Sequence, residues 1–138
     1  MHITRFEYTN MAEPLHQFKA EFFKALAHPT RIRILERLRV GQGTVGELQR
    51  VLGLDQSAVS QQLAVLRREA IVEAEKQGVT VRYRVRDETL FQLLDVARRM
   101  FDNRLTVSQN LLRALRAEDR AGRVPRGDAG RRRRAARR

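Results

Sequence analysis

The sequence predicts a mainly α-helical domain of the α+β class that carries one β-hairpin. Two short helical segments are joined by a tight turn at Gly53, which is the sequence form of a helix-turn-helix. In residues 71–86, which follow, apolar and polar side chains alternate on both sides of Gln77 and Gly78, as is typical of a hairpin. A helix-turn-helix followed by a two-stranded wing predicts a winged helix-turn-helix within the 138-residue chain.

Composition narrows the class of protein. Hydrophobic residues make up 42% of the chain, which is enough for a core. The chain has no cysteine, which excludes disulfides, thiolate metal sites and cysteine-based redox sensing. No stretch approaches the roughly 20 apolar residues of a membrane span, and no secretory signal opens the sequence. We therefore expect a cytoplasmic protein with no membrane partner.

The formal net charge of +12 indicates a polyanionic partner, usually nucleic acid. The excess of positive charge is uneven along the chain. Residues 123–138 hold eight arginines against one aspartate, which gives +7 and leaves +5 for residues 1–122. Charge alone therefore does not separate sequence-specific DNA binding from nonspecific binding.

Two helices are predicted before the helix-turn-helix. Residues 1–12 show no strong periodicity and are interpreted as an arm. Alternatively, residues 1–10 are an extension upstream of a start at Met11. A helix is predicted from Pro14, where a missing N–H costs nothing, and its apolar residues form one stripe. The second helix is predicted to begin at Pro29, and His28 is expected to cap it rather than to bind a ligand.

The third and fourth helices form the predicted helix-turn-helix. Thr44 and Glu47 have the spacing of a capping box at the start of the third helix, and Gly53 is expected to end it. The fourth helix is predicted from about Gln56 to Glu69. Its spacing of apolar residues places one side in the core, formed by Val59, Leu63 and Leu66.

The opposite face of the fourth helix has the layout of a helix that reads the major groove. Small hydroxyl and amide side chains allow close approach and bond to base edges, and arginines hold phosphate or guanine. A merely solvated helix also has a polar face, but the hairpin that follows favours DNA binding. The candidate DNA-binding residues on this face are Ser57, Ser60, Gln61, Ala64, Arg67 and Arg68.

Charge complementarity predicts the register of the hairpin, because a slip of one residue would destroy the pattern on both faces. The predicted pairs are Gln77 with Thr80, Glu75 with Arg82, Glu73 with Arg84, Ala74 with Tyr83, and Val72 with Val85. Near the wing tip, the residues predicted to contact DNA are Lys76, Gln77, Thr80 and Arg82. Cross-strand ion pairing is the alternative role for Arg82 and the preferred role for Arg84.

A last helix is predicted over residues 88–117, capped by Asp87 and about 45 Å long. Its apolar stripe is longer than a small winged domain can cover, and the simplest partner is the same helix of a second chain. The aromatic first helix is expected to add to this interface. The predicted dimer-interface residues are Phe18, Phe22, Phe101, Leu105, Leu111, Leu112 and Leu115.

Composition changes after residue 118, where glycine, proline and arginine replace apolar residues. We expect a disordered tail over residues 119–138, after an arm (1–12) and a DNA-binding and dimerisation domain (13–118). The tail either grips phosphates without regard to sequence or is simply solvated. The tail residues predicted to contact DNA are Arg131, Arg132, Arg133, Arg134, Arg137 and Arg138.

Taken in order, these motifs resemble those of the ArsR/SmtB family of bacterial repressors. The resemblance rests on residues 23–35 (FKALAHPTRIRIL), 45–48 (VGEL), 57–67 (SAVSQQLAVLR) and 81–85 (VRYRV). It implies a homodimer joined by its first and last helices, which represses a nearby operon. It also implies that Gln56, Ser57, Ser60 and Gln61 face DNA bases. Gln61 and Gln62 stand where many members have histidine, so we expect a different base preference.

The metal-sensing sites of many family members are missing from this sequence. Residues 44–48 contain no thiolate where the family has a Cys-x-Cys pair, and the last helix has Asp95 and Asp102 but no histidine. Transition metals prefer imidazole and thiolate, so no metal or other cofactor is predicted. A metal held by His2 and His16 across a dimer is the weaker alternative. The sequence does not identify an effector.

The leading hypothesis is a transcriptional repressor that binds a palindromic operator in double-stranded DNA as a homodimer. The alternative is a nucleoid-associated or counter-silencing protein of low sequence specificity, which the arginine-rich tail favours. The serine and glutamine face of the fourth helix argues against it, because backbone binding does not require those residues. An enzyme is not predicted, since no phosphate-binding glycine loop or histidine–carboxylate pair is present.

Overall fold

The computed structural model describes the backbone of residues 5–123 and the side chains of residues 13–123. Helices and strands follow each other there in the predicted order. The helices are α1 (Arg5–Leu26), α2 (Pro29–Leu38), α3 (Val45–Leu52), α4 (Gln56–Arg68) and α5 (Thr89–Gly122), and the strands are β1 (Val72–Gln77) and β2 (Thr80–Val85). The chain divides into two compact units, with the boundary inside α5 between Leu93 and Leu94.

The ends of α2 and α3 are held by the caps that the sequence predicts. Nδ1 of His28 accepts a hydrogen bond from the N–H of Thr30 at 3.1 Å, which confirms His28 as the cap of α2. The Glu47 N–H donates to Oγ1 of Thr44 at 3.1 Å, and the Thr44 N–H donates to Oε2 of Glu47 at 3.2 Å, a reciprocal capping box. Gly53 ends α3 with a φ of 64°, a left-handed conformation that favours glycine.

Two helix boundaries differ from the prediction. The α1 helix begins at Arg5, with Pro14 inside it, so residues 5–12 of the predicted arm are helical. A proline signals a helix start because it lacks an N–H. Inside a helix it removes one hydrogen bond and crowds the carbonyl four residues before it, and α1 continues across Pro14 despite this cost. The α5 helix reaches Gly122, so residues 119–122 of the predicted tail are helical. Alanine and arginine, which are good helix formers, extend it to that glycine.

The core of the first unit is formed by one side of each helix and one face of the hairpin. On α2 the buried residues are Ile34, Leu35 and Leu38, whereas Ile32 is only partly buried. The buried face is broader than one stripe because α2 contacts α3, α4 and β2. The core residues are Ala25, Leu26, Ile34, Leu35, Leu38, Leu48, Val59, Leu63, Leu66, Ile71, Val72, Val85, Leu90 and Phe91.

The hairpin has the predicted register, from Gln77 opposite Thr80 to Val72 opposite Val85. A third segment joins its outer edge. The Gly43 N–H donates to the Tyr83 carbonyl oxygen at 3.0 Å, and the Tyr83 N–H donates to the Gly43 carbonyl oxygen at 2.8 Å. The bridge fixes β2 next to the segment that leads into α3, so the wing and the helix-turn-helix are tied together through backbone hydrogen bonds.

Candidate nucleic-acid interface

The α4 helix has one buried side and one exposed side, as its periodicity predicts. Val59, Leu63 and Leu66 are at most 1% exposed and anchor the helix to the core. The polar side is open to solvent along the whole length of the helix. All seven candidate residues on α4 are exposed, namely Gln56, Ser57, Ser60, Gln61, Ala64, Arg67 and Arg68.

The chemistry of the exposed α4 face changes along the helix axis. Its N-terminal half carries two serines and two glutamines, whose hydroxyl and amide groups both donate and accept hydrogen bonds. Its C-terminal half carries Ala64, Arg67 and Arg68, so positive charge is concentrated there. Nε of Arg68 lies 3.9 Å from Oε1 of Glu69, an exposed ion pair that holds the guanidinium only weakly.

The turn that aims α4 is supported from α2. Nη2 of Arg33 donates a hydrogen bond of 2.9 Å to the carbonyl oxygen of Leu52, the last residue of α3. Carbonyl groups at a helix C-terminus lack partners within the helix, so this contact satisfies one of them. The direction of α4 is therefore set by the packing of α2 and α3 as well as by the turn at Gly53.

The wing residues lie at and near the tip of the hairpin. Lys76 and Gln77 are exposed, and Thr80 and Arg82 are partly exposed. Nη1 of Arg82 lies 3.8 Å from Oε1 of Glu47. Arg82 therefore forms an ion pair with Glu47 rather than with Glu75, which faces it across the hairpin. The capping box holds the Glu47 carboxylate at the start of α3, and the bridge to β2 brings Arg82 to it.

Arg84 takes the structural role that the register predicts. Its Nε and Nη2 donate to Oε2 of Glu73 at 3.1 and 3.0 Å, which confirms the preferred cross-strand ion pair. Arg86 approaches the other oxygen of the same carboxylate at 3.5 Å. These contacts occupy Arg84 within the hairpin. The ion pair formed by Arg82 is longer, at 3.8 Å, although the Arg82 side chain is less exposed than that of Arg84.

A cleft of about 420 Å³ lies between α4 and the wing. Its lining residues are Ser60, Leu63, Ala64, Arg67, Arg68 and Tyr83. Tyr83 was not predicted as a site residue, because the alternation of the hairpin indicated only an apolar partner for Ala74. The signal was present in the side chain itself, since a tyrosine on a half-buried face usually directs its hydroxyl to a polar partner or to water.

A larger cavity of about 750 Å³ lies elsewhere in the first unit, between α1, the start of α5 and the α4–β1 turn. Phe18 and Phe22, two predicted dimer-interface residues, line it with their rings stacked at 5.8 Å between centroids. In the second unit, the predicted interface residues of α5 are all exposed, namely Phe101, Leu105, Leu111, Leu112 and Leu115.

Some of the predicted site residues lie outside the described part of the chain. The six candidate tail arginines, Arg131, Arg132, Arg133, Arg134, Arg137 and Arg138, and His2 of the alternative metal site, lie outside it. Among the described residues, no three His, Cys, Asp or Glu side chains are grouped so that they could hold a metal ion. No helix in the described range is long and apolar enough to cross a membrane.

The proteins that are similar to this chain in sequence are bacterial transcriptional regulators. A family model described as bacterial regulatory protein, arsR family, matches residues 28–74, from the cap of α2 into β1. An uncharacterised HTH-type transcriptional regulator of Mycobacterium tuberculosis, Rv0081, is 46% identical over 107 residues, which are 77% of this chain and 94% of the relative. The biofilm growth-associated repressor of Xylella fastidiosa is 33% identical over 100 residues, 72% of this chain and 84% of the repressor.

Solved structures agree with the architecture. The crystal structure of Rv0081 superposes with a TM-score of 0.62 and covers 69% of this chain and 96% of its own. A homodimeric winged helix-turn-helix DNA-binding domain from Mycobacterium bovis, 28% identical, also gives a TM-score of 0.62 and covers 68% of this chain and 87% of its own. The fold and the resemblance predicted from sequence are confirmed: the chain belongs to the ArsR family of winged helix-turn-helix, DNA-binding transcriptional regulators.

Proposed function

We propose that this chain is a repressor that binds a palindromic operator as a homodimer and has no catalytic role. The exposed polar face of α4, opposite a fully buried anchoring face, carries the proposal. A two-fold symmetric dimer would place its two α4 helices in successive major grooves, about 34 Å apart, so the operator would share the symmetry of the protein. Binding across a promoter would exclude RNA polymerase, in the bacterial cytoplasm where the chromosome lies.

The side chains of α4 and the wing would make different kinds of contact with DNA. Gln56 and Gln61 can each form two hydrogen bonds with adenine, and Ser57 and Ser60 can bond several base edges. The two guanidinium groups at the other end of α4 would hold phosphate or guanine. In the wing, Lys76, Gln77, Thr80 and Arg82 would contact the adjacent backbone or minor groove, because the hairpin directly follows the recognition helix.

Exposed apolar side chains support the homodimer. Phe18 on α1 and Phe101 on α5 are each 60% exposed, and the leucines of the α5 stripe are exposed as well. Such a long apolar stripe is unfavourable in water and usually marks an interface. The Mycobacterium bovis neighbour is itself described as homodimeric, and one relative is named as a repressor. We therefore propose that α1 and α5 join two copies of this chain.

A titration of the purified full chain on its own upstream DNA tests the proposal. A shuffled duplex of the same composition, at the same salt concentration and without added metal, is the comparison. We expect the upstream duplex to bind about a thousandfold more tightly, the range of specific regulators. If the upstream region holds no operator, selection from random-sequence duplexes should still recover a palindrome.

Two results would contradict the proposal. Equal affinity for all duplexes, with no consensus after selection, would instead favour a nucleoid-associated protein of low specificity. A consensus without two-fold symmetry would contradict the symmetric dimer while leaving sequence-specific binding in place.

A further inference from the structure

The cleft between α4 and β2 has the chemistry of an anion site. Of its six lining residues, Arg67, Arg68 and Tyr83 carry side-chain donors suited to phosphate, Ser60 is proposed to read bases, and none is acidic. The larger cavity differs, because three carboxylates, from Glu69, Asp87 and Glu88, line it against a single arginine, Arg86. The charges of the side chains therefore favour an anion in the cleft beside α4 over one in the larger cavity.

We infer that this cleft seats one phosphodiester group of DNA, and that Tyr83 is part of the seat. The inference rests on the proposed function. If α4 occupies a major groove and the wing lies over the adjacent minor groove, the sugar-phosphate strand that separates the two grooves must pass between α4 and β2. The cleft is the depression at that place, and its lining makes it suitable for the oxygens of a phosphodiester.

The seat is organised before DNA arrives. Tyr83 lies opposite Ala74 in the hairpin, and on the other edge of β2 its backbone exchanges two hydrogen bonds with Gly43, at 3.0 and 2.8 Å. Leu63, which is 1% exposed, forms a rigid floor. A hydroxyl held on a strand that is bonded along both edges loses little conformational freedom on binding, so more of its hydrogen-bond energy appears as affinity.

The guanidinium groups of the seat are available to an incoming anion. Arg67 forms no ion pair with a carboxylate among the described residues, and Arg68 has only the 3.9 Å contact with Glu69. Guanidinium binds a phosphate through two parallel hydrogen bonds, which are shorter and stronger than neutral ones. The Tyr83 hydroxyl would donate a further hydrogen bond to the same phosphate group.

Because a phosphate carries no sequence information, the seat makes a prediction opposite to that for the base-reading side chains. Tyr83→Phe, which removes only the hydroxyl, should weaken binding to operator and shuffled duplexes by the same factor, about tenfold. Arg67→Gln should do the same and lower the slope of log affinity against log salt by about 0.9 for each protomer. Arg99→Gln is the control: it removes the same charge from an exposed position on α5 and should leave the salt slope unchanged.

Duplexes with a single uncharged methylphosphonate locate the seat directly. Moving this group along the operator should reveal, in each half-site, one position where the wild type loses affinity and where Tyr83→Phe and Arg67→Gln lose nothing further. Identical interference profiles for the wild type and both variants would overturn the seat, even when the wild type binds its operator specifically. Failure of the wild type to prefer any duplex would overturn the proposed function instead, so the two failures are distinguishable.

Discussion

Glu47 shows, at the residue scale, what sequence reasoning finds and what it misses. The spacing from Thr44 predicts the capping box, and the structure confirms it. The same carboxylate also lies 3.8 Å from Arg82, whereas the pattern of charges in the hairpin pairs that arginine with Glu75. A cap is local and depends only on spacing. The contact with Arg82 joins residues distant in the sequence and depends on how the wing packs against α3.

Tyr83 was missed for a similar reason. Its position in the strand was predicted, but the cleft it lines exists only once β2 and α4 lie side by side. The exposed face of α4, in contrast, followed from periodicity alone, because one helix determines which of its residues point outward.

Substitutions on α4 test the proposed base-reading side chains. Ser60→Ala or Gln61→Ala should each weaken operator binding by about 1–3 kcal/mol and change binding to a shuffled duplex little, because base contacts are formed only with the correct sequence. Fluorescence anisotropy titrations on both duplexes measure the difference. Gln92→Ala, an exposed change on α5, is the control. Equal losses on both duplexes would remove these two residues from base reading.

The carboxyl group of Asp87 offers a test by titration. Hydrogen bonds from the side chain and from the backbone N–H of Thr89 hold the pKa of Asp87 below its ordinary value of 3.8. The carboxylate therefore stabilises the fold above pH 3.8, and this stabilisation is lost as the pH falls through the lower folded-state pKa. Thr89→Ala removes the hydroxyl but keeps the N–H, so the pKa should rise towards 3.8. Carboxyl ¹³C shifts followed by NMR measure it, and an unchanged pKa would refute the assignment.

Start and stop signals determine most element boundaries in this chain. Caps at His28, Thr44 and Gly53 were predicted and are present, because each satisfies backbone groups that a helix end leaves without partners. The two errors concern signals that permit a helix to begin or end without requiring it. Pro14 can start a helix or lie within one, and the segment before Gly122 has the composition to remain helical. The helix propensity of a residue favours a boundary at one position, but the neighbouring residues determine where the helix begins or ends.

The capping box of α3 should contribute measurably to the stability of the helix-turn-helix. Thr44→Ala leaves the Glu47 N–H without its acceptor and should lower the free energy of unfolding by about 1 kcal/mol. Thr44→Ser keeps the hydroxyl and should retain most of that stability. Urea denaturation of both variants gives the comparison, with equal m-values as the check that only stability has changed. Equal stability of the alanine and serine variants would show that the cap contributes nothing.

At the scale of the whole molecule, the amphipathic pattern of α5 predicts an apolar face. The pattern does not identify the surface that packs against this face. The stripe that includes Leu105, Leu111 and Leu115 is exposed in the single chain. Periodicity identifies such a stripe, but the partner is a second molecule whose orientation no single-chain pattern encodes. The proposed dimer follows from the cost of leaving this face in water and from the homodimeric neighbour, so it needs its own test.

A charge placed in the α5 stripe should separate the two protomers. Leu111→Glu or Leu112→Glu would bury an unpaired carboxylate in the interface, which is far more costly than leaving it in water. Light scattering after gel filtration should then give the mass of one chain, and operator affinity should fall because two half-sites are no longer bound together. Asn110→Glu adds the same charge at the adjacent position, which the helical turn directs away from the stripe, and it should stay dimeric. A dimer of unchanged mass in both leucine variants would exclude this part of α5 from the interface.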